Sequence, residues 1–260
     1  MSRWLLVTIT IIGYINIFYA NKAFVEVKSL YPNAYNWYCD MIQKYPSAKL
    51  ENVSFCISNN FLASTNTIFW PEEILKTIEA LYPINEKTQD MLIFFLKQEY
   101  ILLHEAGHII NNDIPKRRIA ALLTLTTVCG SILYCEAIML KGNMFLSLKE
   151  KKSLIIALTT AIASYPLLFI YIRSQESRAD NFANQTATKE CLEAGIKWHN
   201  EIECYFNNEI SSYYLLPKSI QFFINDPEHP TANDRKEAAK KALRDRFQYS
   251  EIPITDPFAL

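Results

Sequence analysis

Apolar residues are unevenly spread along the 260-residue chain, and three long runs carry most of the bias. The first, WLLVTITIIGYINIFYA at 4–20, follows Arg3 and precedes Asn21-Lys22. No small-x-small cleavage pattern precedes Ala20, so residues 1–20 read as a signal anchor, with a cleaved signal peptide as the alternative. The second run, 119–140, is introduced by Lys116-Arg117-Arg118, and the third, 154–172, closes on Arg173. Each approaches the ~20 residues that carry a helix through a hydrocarbon core. The connector between them is short and holds four lysines. Together they predict a transmembrane helical hairpin over 119–172; a pair of buried core helices is the competing reading.

The remaining pattern predicts shorter elements. FLASTNTIFW at 61–70 is rich in β-branched and aromatic residues and stops at Pro71, which reads as a strand. PEEILKTIEALYP reads as a helix bracketed by prolines. From Thr88, TQDMLIFFLKQEYILLHEAGHIINN has no proline and no glycine before Gly107, with apolar residues at almost every position. That is the signature of a mostly buried helix. RSQESRADNFANQTA, after the third apolar run, predicts a helix whose Ala179, Ala183 and Ala187 permit close packing. Thr231 with Asp234 three residues on resembles a capping box opening a helix to about Phe247. The fold class expected is mainly α with a small antiparallel β-sheet (α+β).

Charge and cysteines narrow the class. The net charge of -1 offers no basic field, so nucleic acid is not an expected partner. The 5 glycines fall in no phosphate-cradling pattern. Outside the apolar runs lie Cys39, Cys56, Cys191 and Cys204, two locally spaced pairs. They suit two short disulfide loops of an oxidising compartment, or are four unrelated thiols. Arg3 and the connector lysines favour an extracytoplasmic polar domain on an integral membrane protein, while Lys116, Arg117, Arg118 and Arg173 argue the other way.

The chemistry centres on HEAGH at 104–108 in a chain with only 4 histidines. On a helix His104 and His108 lie one turn apart on one face, with Glu105 about 100° round the axis. Two neutral imidazoles can then hold Zn²⁺ while the neighbouring carboxylate works on water as general base. A catalytic zinc needs a third protein ligand, and Glu176 is the expected one. Asp180, four residues on along the same helix face, suits the free N–H of a ligating histidine. The competing reading of the trio is a buried His-Glu-His group without an ion, expensive on an apolar helix. His199 has no motif around it and is expected at the surface.

HEAGHIINND, a two-span hairpin, ESRAD and a late His-Pro together resemble the integral-membrane zinc metalloproteases typified by bacterial HtpX, the CAAX prenyl protease and the mitochondrial Oma-type proteases. The family pattern HExxHxxNxD is met by His104, Glu105, His108, Asn111 and Asp113, and ExxAD by Glu176, Ala179 and Asp180. The resemblance covers roughly residues 60 to 240. It implies one Zn²⁺ per chain, a peptide or protein substrate and a lipid bilayer as partner. It also implies a zincin-like metalloprotease domain over 21–260, interrupted by the hairpin. His229 would hydrogen-bond the oxyanion and Arg235 would hold the active-site helices together. Asn66, Thr67, Ile68 and Phe69 would lie on an edge strand that accepts substrate by β-augmentation. A catalytically inactive metal-binding membrane scaffold is the alternative to a protease. The single N-terminal span and the unmatched segment 21–60 depart from the family's usual topology.

Overall fold

The computed structural model describes residues 25–83, 88–140, 147–209 and 229–247; the expected anchor at 4–20 lies outside them. The chain divides into two compact units, one containing Arg117–Leu168 and the other Glu26–Lys116 with Phe169–Leu260.

The larger unit begins with helices α1 (Val27–Leu30) and α2 (Pro32–Lys44), a 3₁₀ turn at Pro46–Ala48, and strand β1 (Ser54–Ser58). Strands β2 (Leu62–Ala63) and β3 (Thr67–Pro71) follow, then helix α3 (Glu72–Leu81). The stretch 61–70 is thus a hairpin rather than one strand. Glu79 of α3 accepts from the backbone N–H groups of Asn33 and Ala34, at 2.7 and 3.0 Å, so one helix caps the exposed start of another.

The sheet order is β1-β3-β2, with β1 parallel and β2 antiparallel to β3. The expected purely antiparallel sheet is therefore a mixed one. Chain direction alternates through β1, β2 and β3, so β1 and β3 run the same way, and β3 inserts between the other two. Trp70 on β3 anchors an aromatic core: Phe61 lies edge-on at 4.7 Å, and Trp37 and Phe55 lie at 6.1 and 5.8 Å.

Helix α4 (Gln89–Ile110) starts where Thr88 caps the N–H of Met91 at 3.3 Å. From Gln98 to His108 every residue is buried, as the all-round apolar pattern required. It packs against β2 and against helix α7 (Lys189–Glu209), which in turn packs on helix α8 (Ala232–Phe247). A Cβ on Gly195 of α7 would sit 2.6 Å from the Tyr100 ring, so glycine there permits the close approach to α4. The Thr231 cap is present, with Asp234 N–H bonded to its hydroxyl at 3.1 Å.

One expectation fails in this unit, and the cysteines take the second of their two readings. His199 is fully buried on α7, its Nε2 3.3 Å from the Tyr100 hydroxyl, rather than on the surface. Cys39, Cys56, Cys191 and Cys204 are all free thiols. Cys191 and Cys204 share α7, where thirteen residues of helical rise place them roughly 20 Å apart, far beyond disulfide reach. The helix, not visible as such in the spacing, rules out that local loop.

Two long helices run from the larger unit into the other one, to which only residues 117–168 of this stretch belong; residues 113–116 and 169–186 stay with the larger unit. Helix α5 runs from Asp113 to Leu140 and helix α6 from Leu148 to Thr186, so the third apolar run and RSQESRAD form one continuous helix of 39 residues. Ser147 and Glu150 cap the start of α6 reciprocally, at 2.9 Å to the Ser147 N–H and 3.2 Å to the Glu150 N–H. Both helices are long and apolar enough to cross a membrane, with only 6% and 11% of their most apolar windows buried. That exposure suggests membrane association rather than a place in a core. Leu122, Leu123, Ile155, Ile156 and Ile162 all face outward.

Candidate metal centre

Helix α4 brings His104 and His108 together because they are one turn apart; their rings lie edge to face with centroids 4.8 Å apart. Helix α6 lies against this turn. A Cβ on Gly107 would stand 2.8 Å from Cα of Ala179, so a glycine facing an alanine lets the two backbones touch. This contact delivers Glu176. Its Oε2 lies 3.3 Å from His104 Nε2 and 3.4 Å from His108 Nε2. The ligand atoms of all three residues fall within 4.8 Å of one another, and all three side chains are buried.

Each ring is fixed from behind. His104 Nδ1 lies 2.9 Å from Asp180 Oδ1, and His108 Nδ1 lies 3.1 Å from Asp113 Oδ2. A carboxylate at Nδ1 keeps the proton on that nitrogen and turns Nε2 inward. Asp113 reaches back because Asn111 caps α4 and Asn112 adopts a left-handed φ of 52°, a conformation asparagine tolerates. The Asn111 contribution is through its backbone, N–H to Gly107 and carbonyl to Lys116 Nζ at 2.6 Å. Asp180 is clamped in turn by Arg235 of α8, which donates from Nε at 2.7 Å and from Nη2 at 2.6 Å. The guanidinium also lies 5.7 Å over the Trp198 ring. Asp113 has its own arginine, Arg178 Nη2 at 3.1 Å, and Gln175 Nε2 donates to its backbone carbonyl at 3.3 Å.

The electrostatics call for positive charge. Burial disfavours protonation of His104, yet Asp180 and Glu176 outweigh it and hold its pKa up to about 10. His108 is likewise raised, by Asp113 and Glu176 against its burial. Each inward Nε2 meets a carboxylate oxygen, a contact that requires a proton or a cation between the two. Glu105, Asp113, Glu176 and Asp180 are four buried carboxylates, facing the guanidiniums of Arg235 and Arg178. With all four ionised and both imidazoles neutral, two negative charges are left over, balanced either by two protons on the histidines or by one divalent ion. Two of the three edges agree: a tetrahedral ion with bonds of about 2.0–2.1 Å has ligand–ligand edges of roughly 3.3–3.4 Å, as between Glu176 and each histidine. A divalent first-row cation therefore fits these residues.

The other expected residues fall as follows. Glu105 is buried beside His104, and burial raises its pKa. His229 stands in the turn before α8, its Nε2 3.6 Å from Glu176 Oε2 and its side chain 40% exposed. Asn66, Thr67, Ile68 and Phe69 are not on an edge. Strand β3 is central, Asn66 and Thr67 carbonyls accept from Ser54 and Ser64, and Ile68 and Phe69 are buried. Among the described residues the open edge beside α4 is β2. Because Ser64 N–H points to β3, the N–H of Ala63 points outward. Sequence reasoning missed Arg178 and Gln175. Their only signal is a spacing of three, which puts them on one face of α6 distinct from that of Glu176 and Asp180.

No curated protein and no solved structure matches the chain. A family model does: that of peptidase family M48 matches residues 97–242, from the middle of α4 to the middle of α8. The matched stretch holds every residue of the centre, from His104 to Arg235, and the chain belongs to peptidase family M48, a family of metalloproteases.

Proposed function

We propose that this chain is a membrane-anchored zinc metalloendopeptidase holding one zinc ion on His104, His108 and Glu176. The observation that carries the reading is the tripod of inward ligand atoms, with edges of 3.3 and 3.4 Å and a carboxylate behind each histidine. When bound, zinc supplies Lewis acidity, which brings the pKa of water toward neutrality and polarises a carbonyl. Glu105, whose pKa burial already raises, takes the proton from the attacking water and returns it to the departing amine. His229 donates from its ring to the oxyanion of the tetrahedral intermediate. Asp180 and Asp113 keep the two ligand rings oriented, and Arg235 ties α6 to α8 behind them.

An extended substrate strand pairs with the open edge of β2, through the outward backbone of Ala63. Ala63→Pro removes that donor and should raise KM while zinc content holds; an unchanged KM would place the substrate elsewhere. The hairpin α5–α6 lodges in the bilayer. Polypeptides presented at a membrane surface, as in quality control of membrane or envelope proteins, are the substrate class this arrangement fits.

Glu105 separates this reading from an inactive metal-binding scaffold, which has no use for a carboxylate beside an open coordination position. Glu105→Gln should retain one zinc per chain and lose roughly 10²–10⁴-fold in cleavage of a casein-like unfolded protein. Equal cleavage by wild type and variant, or none by either at full zinc occupancy, would sink the protease reading.

A further inference from the structure

We infer that Arg178 is a positioning residue of the metal centre: through Asp113 it fixes the ring of His108, as Arg235 through Asp180 fixes that of His104. The inference rests on the zinc reading of the same site.

Helix α6 meets the centre with two faces. Glu176 and Asp180, one turn apart, supply the third ligand and the partner of His104. Gln175 and Arg178, three residues apart, grip Asp113 by its carbonyl at 3.3 Å and by Oδ1 at 3.1 Å. Oδ2 of Asp113 is then left to His108 Nδ1 at 3.1 Å. Asp113 is completely buried, so both of its oxygens need partners, and the arginine supplies the second. One helix therefore sets the ligand carboxylate and both histidine rings.

Removing Arg178 has two opposed consequences. The centre gains net negative charge, which draws a cation more strongly, and Asp113 loses the anchor that holds its carboxylate in line with His108. The Arg178 side chain is 47% exposed, so water already screens most of its charge at the metal. Loss of the anchor therefore dominates. The effect should be smaller than the 10- to 100-fold that follows loss of a direct partner of a ligand, roughly three- to tenfold.

The test uses the full chain in detergent micelles, loaded with zinc and mixed with excess pyridylazoresorcinol, following the rate of zinc release. The visible spectrum of the cobalt(II)-substituted protein reports ligand geometry in parallel. Arg178→Ala should release zinc roughly three- to tenfold faster than wild type and shift the cobalt bands. Arg178→Lys, which restores a charged donor, should return both toward wild type. A purely structural role would lower the melting temperature and move neither signal. Should the alanine variant not fold, Arg178→Gln replaces it, keeping a donor without the charge, and is judged against the same rates. Release at or below the wild-type rate with an unchanged cobalt spectrum overturns the inference and leaves the zinc reading standing. A wild-type chain that holds no zinc overturns the zinc reading itself.

Discussion

Gly107→Ala tests how closely the site depends on contact between α4 and α6. The added Cβ would lie 2.8 Å from Cα and 3.0 Å from the carbonyl oxygen of Ala179, with Phe182 Cβ at 3.2 Å. Ordinary carbon contacts need about 3.5–4.0 Å, so the helices must part by about 1 Å, because backbone atoms cannot swing away. Overpacking of this kind costs about 1–3 kcal/mol, and replacing glycine within a helix returns about 0.8–1 kcal/mol. The net loss of stability should be at most about 2 kcal/mol. The site should suffer far more. Ala179 sits between Glu176 and Asp180, so a 1 Å displacement carries both away from the histidines, against a ligand tolerance of about 0.2 Å. A misplacement of 1 Å is worth about 100-fold in rate. The variant should therefore unfold at a slightly lower denaturant concentration yet lose zinc and at least about 100-fold of its cleavage of an unfolded protein. Gly130→Ala is the control, since a Cβ there meets nothing within 4 Å; it should leave zinc content and turnover unchanged and lose no stability. A Gly107→Ala chain with full zinc and wild-type turnover would refute the close-contact account.

Two further outcomes follow from the buried polar groups around the centre. Asp180→Asn leaves the buried Arg235 without a countercharge, and should cost about 3–5 kcal/mol in denaturant unfolding and 10- to 100-fold in zinc affinity. A loss below about 1 kcal/mol would show that the Arg235 clamp is not an energetic element of the fold. His199 has its pKa lowered to about 3 from 6.5, by burial first and then by the charge of Arg235. Between those values the unfolded chain binds the extra proton, so stability falls as pH falls, by about 2 kcal/mol from pH 7.5 to 5. Unfolding of wild type and His199→Gln at pH 7.5 and 5 measures this; equal pH slopes would contradict it.

Local signals carried much of the chemistry. HEAGH on a run without breakers places two histidines and a carboxylate on one turn, because the period of an α-helix is local and needs no other part of the chain. The spacing of Glu176 and Asp180, the Thr231 cap and the two long apolar runs are legible for the same reason. Family membership follows from these pieces in order.

What required the folded chain is everything set by which surfaces meet. The sheet order put Asn66–Phe69 in the centre and β2 at the edge, since strand pairing is long-range and an alternating strand pattern does not name its neighbours. Burial of His199 depends on Gly195 admitting Tyr100. The role of Gly107 is invisible until Ala179 lies against it. The arginine behind His108 likewise appears only once the turn at Asn112 brings Asp113 to α6. The helix period put His104 and His108 on one face; the close packing of α4 on α6 brought Glu176 to them.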